Sequence, residues 1–329
     1  MIFVTGATGF LGSELVKQLL ERGKRVRALK RRNSSIPSLL KNNPSLEWVE
    51  GDMLDFFSLE KALEDITEVY HCAAIVSFDT GHKKKMLAVN KEGTGHLVQL
   101  CLERNVRKLI HVSSVAALGD GKAGDLTHEN NHWEFDGNQY GYSISKYESE
   151  MEVWRGIAEG LRAVIVNPSV IIGKNAGNEG SGQLFTAVEK GLKFYTDGAT
   201  GFVDVEDVAR AMIMLMESDI HSERFILNSE NMRFKDFFRV TAAALGTKAP
   251  GIKVTPWMMV LGRQLAGLLS LVSGKRTLLT REVAVSALKS TAYSSSKFLK
   301  RFPDFEFKPI QESIAEICRE RRSRMLIDP

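Results

Sequence analysis

Long apolar runs are missing from this chain. The most apolar stretch, Trp257–Val272, is broken by Arg263 and Gln264 and falls short of the roughly 20 apolar residues that a membrane span needs. It reads as a buried or substrate-covering helix, with attachment to a membrane surface as the lesser alternative. Cysteine is also scarce: Cys72, Cys101 and Cys318 stand far apart and form no C-x-x-C. That spacing excludes a disulfide framework and points to buried thiols in a reducing compartment, so a cytoplasmic location is expected. Excess charge is lacking too. The formal net charge is only +4, and no basic stripe is interleaved with aromatics, so nucleic acid is not an expected partner. The basic run Arg319–Arg324 is explained by a solvated helix end. There is no internal repeat or low-complexity tract. No signal peptide is expected, because the first strand begins at residue 2.

What is present describes a soluble globular protein. The 329 residues, 43% hydrophobic and 26% charged, suffice for one large core or a doubly wound domain with a smaller lobe. Short β-rich runs at Ile2–Thr5, Arg25–Leu29, Leu46–Glu50, Glu68–His71, Lys108–Val112 and Ala163–Val166 alternate with helical patterns near residues 11–22, 58–65, 83–105 and 142–159. Such alternation is the pattern of βαβ units and hence of an α/β doubly wound parallel sheet. After Asn167-Pro168 the texture changes. A glycine-rich segment, Gly173–Gly182, reads either as a loop closing over a ligand or as a surface linker. A helical segment at Gln183–Gly191, the run Phe202–Val208 and a mostly helical C-terminal third follow. We expect a Rossmann-type domain over 1–172, to which 202–228 returns. A smaller, mostly helical substrate lobe is expected over 173–201 and 229–329, covering the carboxyl ends of the strands.

The first chemistry-bearing signal is the turn Thr5-Gly6-Ala7-Thr8-Gly9-Phe10-Leu11-Gly12, between an apolar strand and a helical stretch. Glycines there let the backbone turn tightly, approach a pyrophosphate and pack helix on strand. The anion then sits at the helix N-terminus, among free N–H groups and the positive end of the dipole. The second strand ends in Lys30-Arg31-Arg32, with no acid in Lys24–Asn33. A carboxylate at this point would suit the ribose hydroxyl of NAD, whereas cations suit a 2′-phosphate. NADP is therefore the expected cofactor, with NAD as the alternative. Asp52 and Met53 follow the third strand, where a carboxylate and an apolar neighbour can flank an adenine. Ala73 and Ala74 follow the fourth, small enough for close approach of a dinucleotide.

The fifth strand ends in Ser113-Ser114, and Tyr142-Ser-Ile-Ser-Lys146 comes about thirty residues later. Tyrosine and lysine four apart share one helix face. An ammonium beside a phenol favours the phenolate, so Tyr142 is expected to have a lowered pKa and to act as general acid/base. A serine at the strand end can stabilise charge building on the substrate oxygen.

Taken together, Thr5–Gly12, Gly51–Asp55, His71–Ala74, Asn90-Lys-Glu-Gly93-Thr94, Ser113-Ser114, Tyr142–Lys146 and Asn167-Pro168-Ser169 resemble the extended short-chain dehydrogenase/reductase family, in order over roughly residues 1–210. Within it the chain is most similar to dihydroflavonol-reductase-like and 3β-hydroxysteroid-dehydrogenase-like members. The resemblance implies a Rossmann domain, a nicotinamide cofactor, and Ser114, Tyr142 and Lys146 as the catalytic set. Lys146 would also bind the nicotinamide ribose, Arg31 the 2′-phosphate, and Pro168 would lie beside the nicotinamide. Cofactor contacts are further implied for Gly6, Thr8, Gly9, Phe10, Leu11, Gly12, Asp52, Met53, Ala73, Ala74 and Asn90. A homodimer through the helices at 83–105 and 142–159 is also implied by the resemblance alone.

The expected reaction is hydride transfer between the nicotinamide and a carbonyl/alcohol of a mostly apolar small molecule. Two alternatives stand beside it. A nucleotide-sugar epimerase or dehydratase would use the same cofactor site. Dehydratases of the family usually carry an Asp-Glu pair after the catalytic serine or threonine, and Val115-Ala116 stands there in this chain. The segment Val166–Gly173 is also closer to the reductase-like branch. A dinucleotide-sensing regulator without turnover is the other alternative, and such relatives commonly lose the tyrosine or lysine. No metal site is expected. His128-Glu-Asn-Asn-His132 matches H-E-x-x-H, but two asparagines and the surrounding glycines make a loop, not a zinc-binding helix.

Overall fold

The computed structural model describes residues 1–77, 81, 83–119, 121, 125–131, 133–135, 141–255, 257–258 and 287–327. In chain order its strands are β1 Ile2–Thr5, β2 Val26–Lys30, β3 Leu46–Glu50, β4 Glu68–His71, β5 Lys108–Val112, β6 Leu126–Thr127, β7 Ala163–Pro168, β8 Val170–Ile172, β9 Phe194–Tyr195, β10 Ala199–Asp204, β11 Glu223–Leu227, β12 Glu230–Arg233, β13 Ile252–Lys253 and β14 Ala292–Tyr293. Seven of them form one sheet in the order β11-β7-β5-β4-β1-β2-β3, and every neighbouring pair is parallel. Parallel pairing needs crossovers, which the helices supply on both faces.

Burial on both faces explains why these short runs become strands. Ile2 and Val4 of β1 enter one core with Leu15, Val16 and Leu19 of α1 (Phe10–Glu21) and with Val208, Met212 and Leu215 of a later helix at Val205–Glu217. Phe3 points the other way, into a second core with Leu59, Leu97, Val98 and Val153. The same alternation separates Ile110, Val164 and Val166 from Leu109 and Ile165. The second core is closed by α2 (Phe56–Ala62), α4 (Gly93–Glu103) and α5 (Gly141–Ala158). The helical pattern at 83–105 is divided into α3 (Lys83–Leu87), one π turn (Ala88–Glu92) and α4.

A second layer sits beyond β7. β8, β10 and β12 make a three-stranded sheet, with β10 parallel to β8 and antiparallel to β12. It is covered by α6 (Gly182–Glu189), α8 (Phe234–Leu245) and α10 (Ile310–Ile327), around Phe185, Phe202, Phe237 and Ile314. α7 (Val205–Glu217) packs beside α1 in the first core, and α9 (Ser296–Arg301) adds Phe298 to the same core. Asp204 starts α7 by accepting the Glu206 N–H at 2.8 Å, an N-cap that the carboxylate run 204–207 serves.

Two segments singled out in the sequence take definite form here. The glycine-rich segment 173–182 is strapped to α10, not left open as a closing loop. Lys174 pairs with Glu316 at 3.3 Å, while Arg321 pairs with Glu189 at 2.9 Å and donates to the carbonyls of Gly177 and Gly182. The segment His128–Asn131 is a turn, and Glu129 accepts the Ile226 N–H of the edge strand β11 at 2.9 Å. Among the described residues no cluster of metal-ligating groups is found, and no helix is long and apolar enough to cross a membrane. The apolar stretch Trp257–Val272 lies, from residue 259 onward, outside the described residues, as does His132.

Packing between α4 and α5 yields a test. A Cβ at Gly156 would lie 2.5 Å from Cγ1 of the fully buried Val98, a β-branched side chain that cannot swing away within a helix. Gly156→Ala gains about 1 kcal/mol of helix propensity but overpacks the core, at a cost of about 1–3 kcal/mol. Urea denaturation is expected to show net destabilisation; a more stable variant would contradict the packing described.

Candidate active site

Most of the sequence-nominated residues follow the carboxyl ends of the parallel strands of the main sheet. There the chain leaves β1 towards β2 on one side, while β4 lies on the other. Open α/β sheets bind ligands at such a reversal. Gly6 holds φ +70°, and a Cβ on it would meet the Ala73 nitrogen and the Cys72 carbonyl carbon, each at 2.6 Å. A Cβ on Gly12 would stand 2.1 Å from the Gly6 carbonyl oxygen. Only glycine fits at either point. Helix α1 opens at Gly9 with no side-chain cap and no acid in its first turn, so its first N–H groups are free to receive an anion. The cradle fits a dinucleotide pyrophosphate.

Around the cradle the nominated residues divide. Arg31 and Arg32 are exposed at the end of β2, and Lys30 is occupied by Glu50 of β3 at 2.9 Å. Asp52 is exposed, with Oδ1 accepting the Leu54 N–H at 3.0 Å. Leu11 is 8% exposed and packs in the core, whereas Phe10 is half-buried beside Gly173. Met53 departs from expectation: it is 6% exposed and packs in the second core, against Gly93. Ala73 and Ala74 are half-buried, and the Ala73 N–H is held by Thr5 Oγ1 at 3.2 Å. Asn90 lies inside the π turn, 2% exposed. Its amide exchanges bonds with both backbone groups of Ile75, at 2.7 and 3.0 Å, and donates to Ser145 Oγ at 3.0 Å. Asn90 thus braces the segment after β4 against α5.

The proton-active side chains meet at the end of β5. Ser114 caps a short 3₁₀ turn, accepting the Ala116 N–H at 3.2 Å, and its side chain is hydrogen-bonded to that of Tyr142. Ser113 points inward instead, to Glu150 at 2.8 Å. Lys146, 3% exposed, donates to the Val112 carbonyl at 2.7 Å. The expected lowering of the Tyr142 pKa is not what this environment produces. Removal from water raises it, and the Ser114 hydrogen bond only partly offsets that. Burial brings Lys146 down to about 8, against the upward pull of Glu150. Pro168, at the end of β7, is buried beside Asn167, whose amide donates to the Ser114 carbonyl and to Glu150, both at 3.0 Å.

Beneath these groups lies a polar chain that sequence reading missed. Thr94 donates to the Asn90 carbonyl at 2.5 Å, so it accepts from His71 Nε2 at 2.9 Å, and His71 Nδ1 accepts from Thr5 at 2.7 Å. Burial depresses His71 to about 3 and holds His111, 5.0 Å away ring to ring, below its usual range as well. Burial likewise pushes the neighbouring Cys72 thiol up to about 12. Also missed were Glu150 and Arg224, and the bonds made by Asn167, which had been noted only within Asn167-Pro168-Ser169. The one available signal was the continuation of Tyr142 and Lys146 at the next four-residue step, Glu150. Two surface clefts, of about 560 and 520 Å³, have none of the nominated residues in their lining; the larger is lined by paired charges from the far end of α1 and from α7.

Fold and site together define a nicotinamide-dinucleotide-dependent enzyme of the oxidoreductase type. The NAD dependent epimerase/dehydratase family model matches residues 2–227, and the chain belongs to that family. It is 32% identical over 260 residues to sterol demethylase protein B of Methylococcus capsulatus, covering 78% of each chain. It is 29% identical over 241 residues to cinnamoyl-CoA reductase 1 of Petunia hybrida, covering 69% of this chain and 72% of that one. The crystal structure of gox2253 superposes with a TM-score of 0.85 at 30% identity, over 98% of both chains.

The neutral histidine gives a pH test. Between pH 6.5 and about 3 the unfolded chain binds a proton at His71 that the folded chain refuses, so stability falls as pH drops through that window. His71→Gln is expected to flatten this part of the stability–pH curve measured by urea denaturation. An unchanged acid limb would show that His71 is not held neutral.

Proposed function

We propose that this protein is an NADP-dependent reductase acting on the carbonyl group of a mostly apolar small molecule. Tyr142 is the proton donor, Ser114 the group that holds the substrate oxygen, and Lys146 their cationic neighbour. The observation that carries the reading is the Ser114–Tyr142 hydrogen bond, one helical turn from Lys146, on the same sheet edge as the glycine cradle. The nicotinamide, when bound, supplies the hydride. The chain's own residues then do three things. Ser114 directs its hydroxyl at the oxygen on which negative charge builds. Tyr142, kept protonated by burial, gives that oxygen its proton. Lys146 stabilises the resulting phenolate as a fixed nearby cation.

A protonated phenol suits reduction, the direction in which a proton must be given up. For the cofactor, exposed Arg31 and Arg32 without an acid of their own strand favour a 2′-phosphate, since Glu50 is taken up by Lys30. The domain division that goes with this reading is a dinucleotide-binding unit over 1–172 with 202–228, and a substrate lobe over 173–201 and 229–329. Reductase activities named for relatives, such as cinnamoyl-CoA reductase 1, point to carbonyl substrates bearing apolar bodies.

Two measurements test the reading. Tyr142→Phe is expected to lower NADPH-dependent reduction of a ketone, aldehyde and acyl-thioester panel by about 10²–10⁴-fold, with NADPH affinity retained; undiminished turnover would overturn the assigned acid. Arg31→Ala is expected to weaken NADPH binding roughly tenfold, as loss of a charge-assisted hydrogen bond should, and to leave NADH binding alone. Equal loss for both dinucleotides would remove the NADP preference.

A further inference from the structure

Glu150 is fully buried, two helical turns beyond Tyr142 and one beyond Lys146 on the same face of α5. Its carboxylate meets four donors from four elements. Oε2 accepts from Ser113 Oγ at 2.8 Å (after β5) and from Asn167 Nδ2 at 3.0 Å (β7), while Oε1 accepts from Arg224 Nη1 at 2.8 Å (β11) and from Trp154 Nε1 at 3.3 Å (α5 itself). Two of these bonds lead to the catalytic serine. Ser113 is its chain neighbour, and the Asn167 amide that holds Glu150 also holds the Ser114 carbonyl at 3.0 Å.

A lone structural ion pair would need only Arg224. Here the carboxylate pairs with Arg224 at 2.8 Å and also acts electrostatically on Lys146, four residues before it on the same helix face. Among the described residues, the other titratable groups that interact with Lys146 (His71 and Cys72 from the end of β4 and His111 from β5) carry no charge at neutral pH, and neither does Tyr142 one helical turn before it. A buried cation with no opposing charge loses its proton readily. We propose that Glu150 is a positioning residue for the reduction: it supplies the negative charge that balances Lys146 and anchors the strand end that presents Ser114. Arg224 completes the device. It donates to the Glu129 carbonyl through Nε at 2.8 Å and through Nη2, tying Glu150 to the loop after β6.

This inference rests on the reductase reading, and its test separates the two. Glu150→Gln keeps shape and hydrogen bonding but removes the charge, and Arg224→Gln removes the competing cation. If protonated Lys146 is required, the alkaline limb of the kcat/KM profile for NADPH-dependent reduction moves down by a unit or more in Glu150→Gln and moves up in Arg224→Gln. Coincident alkaline limbs in all three proteins would overturn the proposal, whatever the change in thermal stability. A second readout needs no turnover. Lys146 sits at about 8 in the fold against 10.5 unfolded, so stability rises with pH across that window. Glu150→Gln is expected to start that rise at lower pH in urea denaturation, and to lose the effect when combined with Lys146→Met. Absence of the shift there sinks the Glu150 inference alone. Absence of NADPH consumption by the wild-type protein, with the denaturation shift present, sinks the reductase reading alone.

Discussion

The approach of the Gly6 backbone to the backbone at Cys72–Ala73, with Gly12 lying under the Gly6 carbonyl, is the constraint on which the working edge of the sheet depends. It brings the ends of β1 and β4 together without a side chain between them. It also turns the uncapped start of α1 toward the same point. Thr5 secures the approach from below, accepting the Ala73 N–H and bonding to His71. From His71 the polar chain continues through Thr94 to Asn90 and α5. The helix carrying Tyr142 and Lys146 is thus registered against the glycine turn by buried hydrogen bonds as well as by apolar packing.

Burial, more than charge, sets the chemistry of that region. His71 and His111 are neutral and Cys72 is a thiol because each has been taken out of water. Tyr142 is raised for the same reason. Lys146 resists the same force only in part, and Glu150 supplies the opposition. Buried polar networks of this kind are sensitive to any member left unpaired.

Much of the main sheet was legible because its strands are buried on both faces. Ile2–Thr5, Glu68–His71 and Lys108–Val112 read as short continuous apolar-rich runs bounded by turns, which is what a parallel sheet demands. The return of 202–228 to the Rossmann-type domain was expected, but the strand Glu223–Leu227 within it was not singled out, since its pairing with β7 joins residues some sixty positions apart. The π turn at Ala88–Glu92 escaped notice because its helical pattern is unbroken; only the position of Asn90 against Ile75 reveals it. Ser114, Tyr142 and Lys146 could be nominated from motif and spacing. The upward pKa of Tyr142 could not, because it follows from burial that no spacing encodes. Glu150 looks like any acid on a polar helix face until Arg224, Ser113 and Asn167 converge on it from three other elements.

The central claim is net transfer of a hydride from NADPH to a carbonyl carbon at this edge, with Tyr142 giving the proton. The most direct test is to supply NADPH deuterated at C4, in separate samples for each face, to the purified protein with the carbonyl panel, and to follow NADPH absorbance together with the product by NMR. The account predicts stoichiometric loss of NADPH, with deuterium from one face at the new carbinol carbon. Product formed with no net loss of NADPH, or a carbinol free of label from either face, would contradict it.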